Sequence, residues 1–154
     1  EDALKTIMKQ VEKAVSQGAK IETGGKKADL QGNFMQATII SNITPEMDLY
    51  KEELFGPVAS FYKVKNEEEA IKVANATDFG LGGSVFSKNI ERAKNVANQI
   101  DSGMIFINHP TKSSTDMPFG GTKRSGYGRE LSALGIDEFV NKKLIRVISE
   151  NEKM

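Results

Sequence analysis

Apolar residues alternate between helical and extended spacing along almost the whole of this 154-residue chain. A first amphipathic helix, ending near Gly18, is predicted by apolar residues that recur on one helix face: Leu4, Ile7, Met8, Val11 and Ala14. Asn66 and Asn89 have the positions of N-caps for two further helices, and a fourth helix is predicted over residues 129–134. Strands are predicted at residues 19–22, 34–40, 58–64, 84–87, 103–108 and 144–148. This alternation predicts an α/β fold in which a mostly parallel, open sheet is covered by helices.

The composition limits the partners that this chain can have. Lys plus Arg and Asp plus Glu each number 21, so the formal net charge is zero and no bulk field attracts nucleic acid or an anionic membrane. Every apolar run is shorter than the roughly 18 residues that would span a bilayer. Because the sequence has no cysteine and a single histidine, His109, we expect neither disulfides nor a metal site. We therefore expect a cytoplasmic protein that binds neither nucleic acid nor a membrane.

The first candidate site is a turn in which glycine and proline follow two bulky side chains: Glu53-Leu54-Phe55-Gly56-Pro57. A carboxylate beside an aromatic ring in a turn can meet the hydroxyls and the flat ring of a ligand. The alternative, which the residues leave open, is an exposed acid next to a phenylalanine of the core.

The second candidate site is a glycine-rich loop over residues 118–131. From Gly121 to Gly126 it has the glycine spacing of a phosphate-binding P-loop, but Tyr127-Gly128 stands where that motif requires Lys and Ser or Thr. No Gly-x-Gly-x-x-Gly follows a predicted strand either, so a complete dinucleotide-binding motif is missing from this sequence. The loop is therefore interpreted as mainly architectural.

Taken together, the two loops resemble the C-terminal part of the NAD(P)-dependent aldehyde dehydrogenases. The second loop matches a hallmark of that family with the run Pro118-Phe119-Gly120-Gly121-Thr122-Lys123-Arg124-Ser125-Gly126-Tyr127-Gly128-Arg129-Glu130. The resemblance implies that Glu53 accepts hydrogen bonds from the nicotinamide ribose and that Phe55 packs beside the nicotinamide. It also implies that Phe119 lines the aldehyde pocket, with ordinary core packing as the alternative. The cofactor is NAD or NADP, and the sequence leaves the choice open.

A polar loop over residues 109–117 lies directly before the second motif. Its Ser113-Ser114 pair resembles the succinate-semialdehyde dehydrogenases, in which a loop serine helps to bind the distal carboxylate of the substrate. Lys112 and the two hydroxyls can hold an anion, since charge-assisted hydrogen bonds to a carboxylate are strong. The alternative is a loop that is merely solvated.

The resemblance implies a division of the chain and a limit on its activity. It assigns residues 1–140 to the C-terminal part of a catalytic domain, 141–150 to a strand that joins subunits into a homo-oligomer, and 151–154 to a tail; an edge strand of the local sheet is the alternative for 141–150.

The first helix follows Glu1 at once without an initiator methionine, so we expect a piece of a longer polypeptide. The catalytic cysteine and the general base of the family lie upstream of the matching part. We therefore assign no catalytic residue and expect the chain alone to be inactive. The parent enzyme would oxidise succinate semialdehyde to the acid. The second hypothesis is a non-catalytic assembly or binding module derived from that family.

Overall fold

The computed structural model describes residues 1–149 and divides the chain into two compact units, Glu1–Asp78 and the part from Phe79 onward. The first unit contains helix α1 (Asp2–Ser16), strands β1 (Lys20–Thr23), β2 (Thr38–Ser41) and β3 (Val58–Ser60), and helix α2 (Glu67–Asn75). β2 lies in the middle of a three-stranded sheet, antiparallel to β1 and parallel to β3. A 3-10 turn, Asp48–Tyr50, lies in the connection from β2 to β3.

The core of the first unit forms where α1 packs against the sheet. Val11 and Ala14 come from the apolar face of α1, Ile40 is the fully buried residue of β2, and Met47 and Leu49 come from the β2–β3 connection. The helical spacing of the first residues therefore predicted both the helix and its buried face. Burial of these side chains is the main favourable term for this unit, at about 25 cal/mol per Å² of apolar surface.

The second unit is built on one parallel strand pair. Its strands are β4 (Phe79–Gly80), β5 (Gly82–Val85), β6 (Met104–Ile107) and β7 (Thr122–Lys123), and its helices are α3 (Ile90–Ala97) and α4 (Ser132–Asp137). β5 and β6 run parallel, with Gly82 opposite Met104 and Val85 opposite Ile107, and α3 connects them. β4 and β7 form a separate antiparallel pair.

The two predicted N-caps are confirmed. The Asn66 side chain accepts a hydrogen bond from the Glu69 amide at 2.9 Å, and the Asn89 side chain accepts one from the Arg92 amide at 3.0 Å. The Glu69 carboxylate in turn accepts a hydrogen bond from the amide of Lys65, the residue that precedes the Asn66 cap. These bonds satisfy amides that have no partner within the helix.

The α/β class is confirmed, whereas the arrangement of the sheet differs from the prediction. Within residues 1–149 the strands form three small sheets, and two of the four strand pairs are parallel, so a single, mostly parallel sheet is not formed. The two-residue strands β4 and β7 were missed because no sequence period can be recognised over two residues. Among the described residues, no helix has the length and apolar character needed to cross a membrane.

The fourth helix begins three residues later than predicted. Phe119 and Glu130 exchange two backbone hydrogen bonds, of 2.8 and 2.7 Å, so residues 129 and 130 belong to the glycine-rich loop and α4 begins at Ser132. Leu131 and Ser132 both have positive φ, at 61° and 51°, where the chain turns from the loop into the helix. Positive φ is uncommon for such residues, and the bonds on either side hold the turn in place.

The predicted strand at residues 144–148 is not formed within the chain. Residues 141–149 have no regular secondary structure, and Leu144 and Val147 are 91% and 86% exposed. A strand needs backbone pairing with a neighbouring strand, and no strand among residues 1–149 pairs with this segment. Residue 150, the last of the predicted oligomerisation strand, and the predicted tail 151–154 lie outside the described residues.

We predict that Gly24→Ala lowers the free energy of unfolding by more than the strain of a positive φ alone. Gly24 has φ +72°, and a Cβ atom there would lie 2.3 Å from the Ala37 carbonyl oxygen, whereas at Gly18, with φ +109°, the nearest atom is Met47 Cε at 3.5 Å. Gly18→Ala should therefore cost only conformational strain, about 1–2 kcal/mol, and Gly24→Ala should cost more because a backbone atom must also move. Urea unfolding of both variants measures the difference, and equal losses would contradict the prediction.

Candidate functional site

The turn that contains Glu53 and Phe55 points both side chains outward. Leu54, between them, packs against the core of the first unit, while Glu53 is exposed and Phe55 is 81% exposed. The Gly56 amide donates a hydrogen bond to the Leu54 carbonyl and closes the turn. The Gly56 carbonyl accepts one from the amide of Val58, the first residue of β3. A Cβ atom on Gly56 would lie 2.4 Å from Ile7 Cδ1, so glycine allows this backbone to approach α1. The alternative of a core phenylalanine at position 55 is wrong.

The exposed pair has the chemistry that a ribose and a flat ring require. Within residues 1–149 the Glu53 carboxylate makes neither a hydrogen bond nor an ion pair, so its oxygens are available as acceptors. The Phe55 ring beside it offers an apolar face. The residues present therefore fit a nicotinamide riboside, although the role of each remains a prediction.

A cavity of about 210 Å³ lies in the second unit and brings together three of the four residues that the sequence assigns to a substrate. Its lining consists of Leu81, Gly82, Met104, Thr111, Lys112, Ser113 and Phe119. Lys112, Ser113 and Thr111 supply polar groups, and Phe119, Leu81 and Met104 supply apolar surface. Such a mixture is typical of a small-molecule site, in which a few polar groups orient a ligand held by apolar contacts.

Four cavity residues were missed by the sequence analysis. Thr111 belongs to the predicted polar loop but was not assigned to a ligand, and the other three lie at the cavity because of strand pairing. Gly82 begins β5 and Met104 begins β6, and the two residues lie opposite each other in the parallel register. Leu81 directly precedes β5. Their apolar character could be seen in the sequence, but their position at the cavity could not be found without knowing that these two strands pair.

Ser114, the fourth predicted residue, does not line the cavity. Its hydroxyl donates a hydrogen bond to the Asp116 carboxylate. This hydrogen bond lowers the pKa of Asp116, and the charge of Lys112 lowers it further. Asp116 is therefore ionised at neutral pH. Of the two neighbouring serines, only Ser113 lines the cavity.

The loop that carries these residues is tied down at both ends. At its start the Asn108 side chain accepts a bond from the Ser87 amide at 2.8 Å and donates one to the Ser87 carbonyl at 2.9 Å. Near its end the Thr115 carbonyl accepts a bond from the Ser132 amide at 3.0 Å. A polar loop with fixed ends can present side chains at defined positions.

Arg129 holds the glycine-rich loop from within. Its Nη1 donates to the carbonyls of Gly121, at 3.0 Å, and Gly128, at 2.6 Å, and its amide donates to Glu138 Oε1 at 3.1 Å. These bonds fold the loop back on itself, and the backbone pairing of Phe119 with Glu130 joins its two ends. The mainly architectural interpretation of this loop agrees with these contacts.

Two other features of the described residues do not belong to the predicted site. A larger cavity of about 950 Å³ lies in the first unit, lined by residues that include Tyr50, Phe61 and Lys65, but neither Glu53 nor Phe55. Residues 1–149 contain no group of three or more His, Asp or Glu side chains that could hold a metal ion.

Comparison with known proteins identifies relatives along nearly the whole chain. The model of the aldehyde dehydrogenase family matches residues 1–145. A succinate-semialdehyde dehydrogenase [NADP(+)] of Deinococcus radiodurans is 49% identical over 153 residues, which are 99% of this chain and 32% of the relative. A succinate-semialdehyde dehydrogenase [NADP(+)] 1 of Mycobacterium tuberculosis is 48% identical over 139 residues, 90% of this chain and 30% of the relative.

Solved structures agree with these relatives. Succinic semialdehyde dehydrogenase from Streptococcus pyogenes, in complex with NADP+, superposes with a TM-score of 0.92 at 47% identity and covers 96% of this chain and 32% of its own. Betaine aldehyde dehydrogenase from Staphylococcus aureus, in complex with NAD+, gives a TM-score of 0.85 at 38% identity, covering 90% and 28%. The chain thus spans about a third of the length of the relatives it matches.

We predict that Arg129 determines the stability of the loop that carries Phe119. Arg129→Met removes the donor to two carbonyls and should lower the free energy of unfolding by about 1.5–3 kcal/mol, while Arg129→Lys should recover only part because an ammonium lacks the planar fork. Hydrogen exchange at the Phe119 and Glu130 amides should accelerate in the Met variant. Exchange at the Asn108 amide, which bonds to the Val85 carbonyl, is the internal control. Unchanged exchange at Phe119 and Glu130 would contradict this role.

Proposed function

The chain belongs to the aldehyde dehydrogenase family, and we propose that it is part of an enzyme that oxidises succinate semialdehyde to the carboxylic acid, with NAD or NADP as the cofactor. The observation that carries this proposal is the cavity in the second unit. Lys112, Ser113 and Phe119, which the sequence assigns to a substrate, line it together. The relatives named as succinate-semialdehyde dehydrogenases, at 48–49% identity, support the same substrate.

The chemistry of the cavity suits an aldehyde that carries a distal carboxylate. The Lys112 ammonium and the Ser113 hydroxyl donate hydrogen bonds to the carboxylate, and Phe119, Leu81 and Met104 contact the short apolar stem between the two functional groups. A neutral aldehyde of the same length would lose the charge-assisted bonds. The anion subsite therefore selects among aldehydes by charge.

Glu53 and Phe55 contribute to the cofactor site of the proposed enzyme. The Glu53 carboxylate accepts hydrogen bonds from the nicotinamide ribose hydroxyls, and the Phe55 ring packs beside the nicotinamide. Their outward orientation, with Leu54 anchored in the core between them, supports these roles. When bound, the nicotinamide supplies the hydride acceptor of the oxidation.

This chain contributes binding residues to the proposed reaction but no nucleophile. The reaction in this family begins with a cysteine thiolate, and the sequence contains no cysteine. We therefore propose that the chain alone is inactive. The same observation favours the second candidate function, a non-catalytic binding or assembly module of this family.

A chimeric enzyme tests the substrate proposal. The third of the Deinococcus radiodurans relative that matches this chain is replaced by the chain, and NADPH formation is measured with succinate semialdehyde and with butanal. Lys112→Met should raise KM for succinate semialdehyde at least about tenfold with little change in kcat, because the ammonium bond to the carboxylate is lost. Butanal kinetics, which do not involve that bond, should stay unchanged.

Two outcomes would contradict the proposal. Equal loss of activity with both aldehydes would assign Lys112 a structural role, and unchanged kinetics with succinate semialdehyde would remove it from the substrate site. The unfused chain, assayed in parallel, should form no NADPH, and measurable product from it would refute the proposed inactivity.

We further propose that the chain assembles into a homo-oligomer through residues 144–148. Leu144, Ile145 and Val147 are more than three-quarters exposed, and apolar side chains on alternate positions suit pairing with the sheet edge of another copy. The cytoplasmic location that the composition suggests remains a prediction.

Sedimentation at micromolar concentration checks the proposed assembly. The unsubstituted chain should sediment as a dimer or larger species. Val147→Pro, which removes one ladder amide, should sediment as a monomer, and Val147→Thr, which keeps the β-branched shape and the amide, should behave as the unsubstituted chain. Equal masses for the proline variant and the unsubstituted chain would exclude pairing through this segment.

A further inference from the structure

Gly82 lines the cavity of the second unit without contributing a side chain to it. A Cβ atom on Gly82 would lie 3.0 Å from Thr111 Cγ2 and 3.4 Å from Met104 Cε. Thr111 and Met104 line the same cavity. The space that a side chain at position 82 would fill therefore lies at the cavity wall, between the polar loop and the first residue of β6.

The backbone on both sides of this space is held in place. Gly82 and Met104 lie opposite each other in the parallel register of β5 and β6. The loop that carries Thr111 is bonded to Ser87 at its start and to Ser132 near its end. A methyl group at position 82 can be accommodated by small shifts of the Thr111 and Met104 side chains, but the two walls can move apart only if these backbone anchors break.

We propose that Gly82 is a specificity-determining residue: its missing side chain leaves room for the carbon stem of the aldehyde beside Thr111 and Met104, and this room sets the widest stem that the cavity accepts. The inference rests on the proposed function, because it concerns the same cavity. Lys112 and the Ser113 hydroxyl recognise the charged end of the ligand, whereas Gly82 limits its shape. Such a limit is effective because one methylene group in an apolar pocket changes binding by about tenfold or more.

Gly83, the next residue of β5, offers a matched control. Successive residues of a strand face opposite sides of a sheet, and Gly83 does not line the cavity. A Cβ atom on Gly83 would lie 3.0 Å from Ile105 Cδ1, the same distance as that between a Cβ atom on Gly82 and Thr111 Cγ2. Neither glycine has a positive φ, so the backbone accepts alanine at both positions. The two alanine variants thus add the same methyl group at equal closeness of packing, once at the cavity and once away from it.

The test uses the chain itself, labelled with ¹⁵N, and two probes that differ in the width of the stem. Succinate has an unbranched stem, and 2,2-dimethylsuccinate has the same two carboxylates at the same spacing on a wider stem. Amide shifts of the cavity-lining residues are followed while each probe is titrated into the unsubstituted chain, Gly82→Ala and Gly83→Ala. The ratio of the two affinities within one variant reports stem width and is insensitive to a general loss of binding.

The unsubstituted chain should bind both probes. Gly82→Ala should lower the affinity for 2,2-dimethylsuccinate at least about tenfold more than the affinity for succinate, because the added methyl group and the branched stem compete for the same space. Gly83→Ala should leave both affinities unchanged.

Three results would overturn the inference. The first is an unchanged ratio of the two affinities in Gly82→Ala. The second is the same change of ratio in Gly83→Ala, since a disturbance of the strand pair would then explain it. The third is failure of 2,2-dimethylsuccinate to bind the unsubstituted chain, which would show that the cavity has no room beside Gly82.

Lys112→Met separates failure of this inference from failure of the proposed function. Both probes carry the carboxylate that Lys112 is proposed to bind, so this variant should weaken both by the same factor. If it does so and Gly82→Ala does not change the ratio, the carboxylate subsite stands and the inference about Gly82 fails. If Lys112→Met changes neither affinity while Gly82→Ala changes the ratio, the selection by width stands and the proposed carboxylate subsite fails. If neither probe shifts the cavity amides of the unsubstituted chain, both fail.

Discussion

The second unit depends on the close approach of two backbones that only glycine permits. A Cβ atom on Gly103 would lie 2.0 Å from the Gly120 carbonyl oxygen, and the Gly103 amide itself bonds to the Gly80 carbonyl at 2.9 Å. The glycine-rich loop therefore lies directly against the start of β6, where Met104 lines the cavity. With a side chain at position 103, Gly120 could not approach and Phe119, which precedes it, could not lie at the cavity wall. Arg129 and the paired bonds between Phe119 and Glu130 then stabilise a loop whose position the glycines make possible.

The sequence predicts those parts of the fold that depend only on residues close together in the chain. The face of α1 and the caps at Asn66 and Asn89 depend on residues three or four positions apart, so local spacing was enough to identify them. The start of α4 depends instead on bonds between residues 119 and 130, and local spacing placed it three residues too early. The division into three sheets depends on which strands pair, which the alternation of apolar residues leaves undecided. For residues 144–148 the pattern of a strand is present, but a strand cannot form without a neighbour.

Those residues of the candidate site that belong to a recognisable sequence motif could be predicted, and the others could not. Lys112, Ser113 and Phe119 were assigned from their place in two loops, and the structure gathers them around one cavity. Leu81 and Met104 complete that cavity because β5 and β6 are in parallel register, which no motif records. The Ser113-Ser114 pair shows the limit of assignment by motif. In this loop the two adjacent side chains differ: Ser113 lines the cavity, whereas the Ser114 hydroxyl bonds to Asp116 within the turn.

In the proposed function, this chain supplies groups that bind ligands but not the nucleophile of the reaction. Every group named here that the proposed function assigns to a ligand is an acceptor, a donor or an apolar surface: the Glu53 carboxylate, the Phe55 ring, the Lys112 ammonium and the Ser113 hydroxyl. None of them is an activated nucleophile, and no cysteine in the sequence can become one. Binding groups of this kind orient an aldehyde and a cofactor, and orientation contributes to the rate only when the reacting atoms are supplied beside them. In the proposed function, this chain contributes to the choice of aldehyde, and the nucleophile of the reaction is not among its residues.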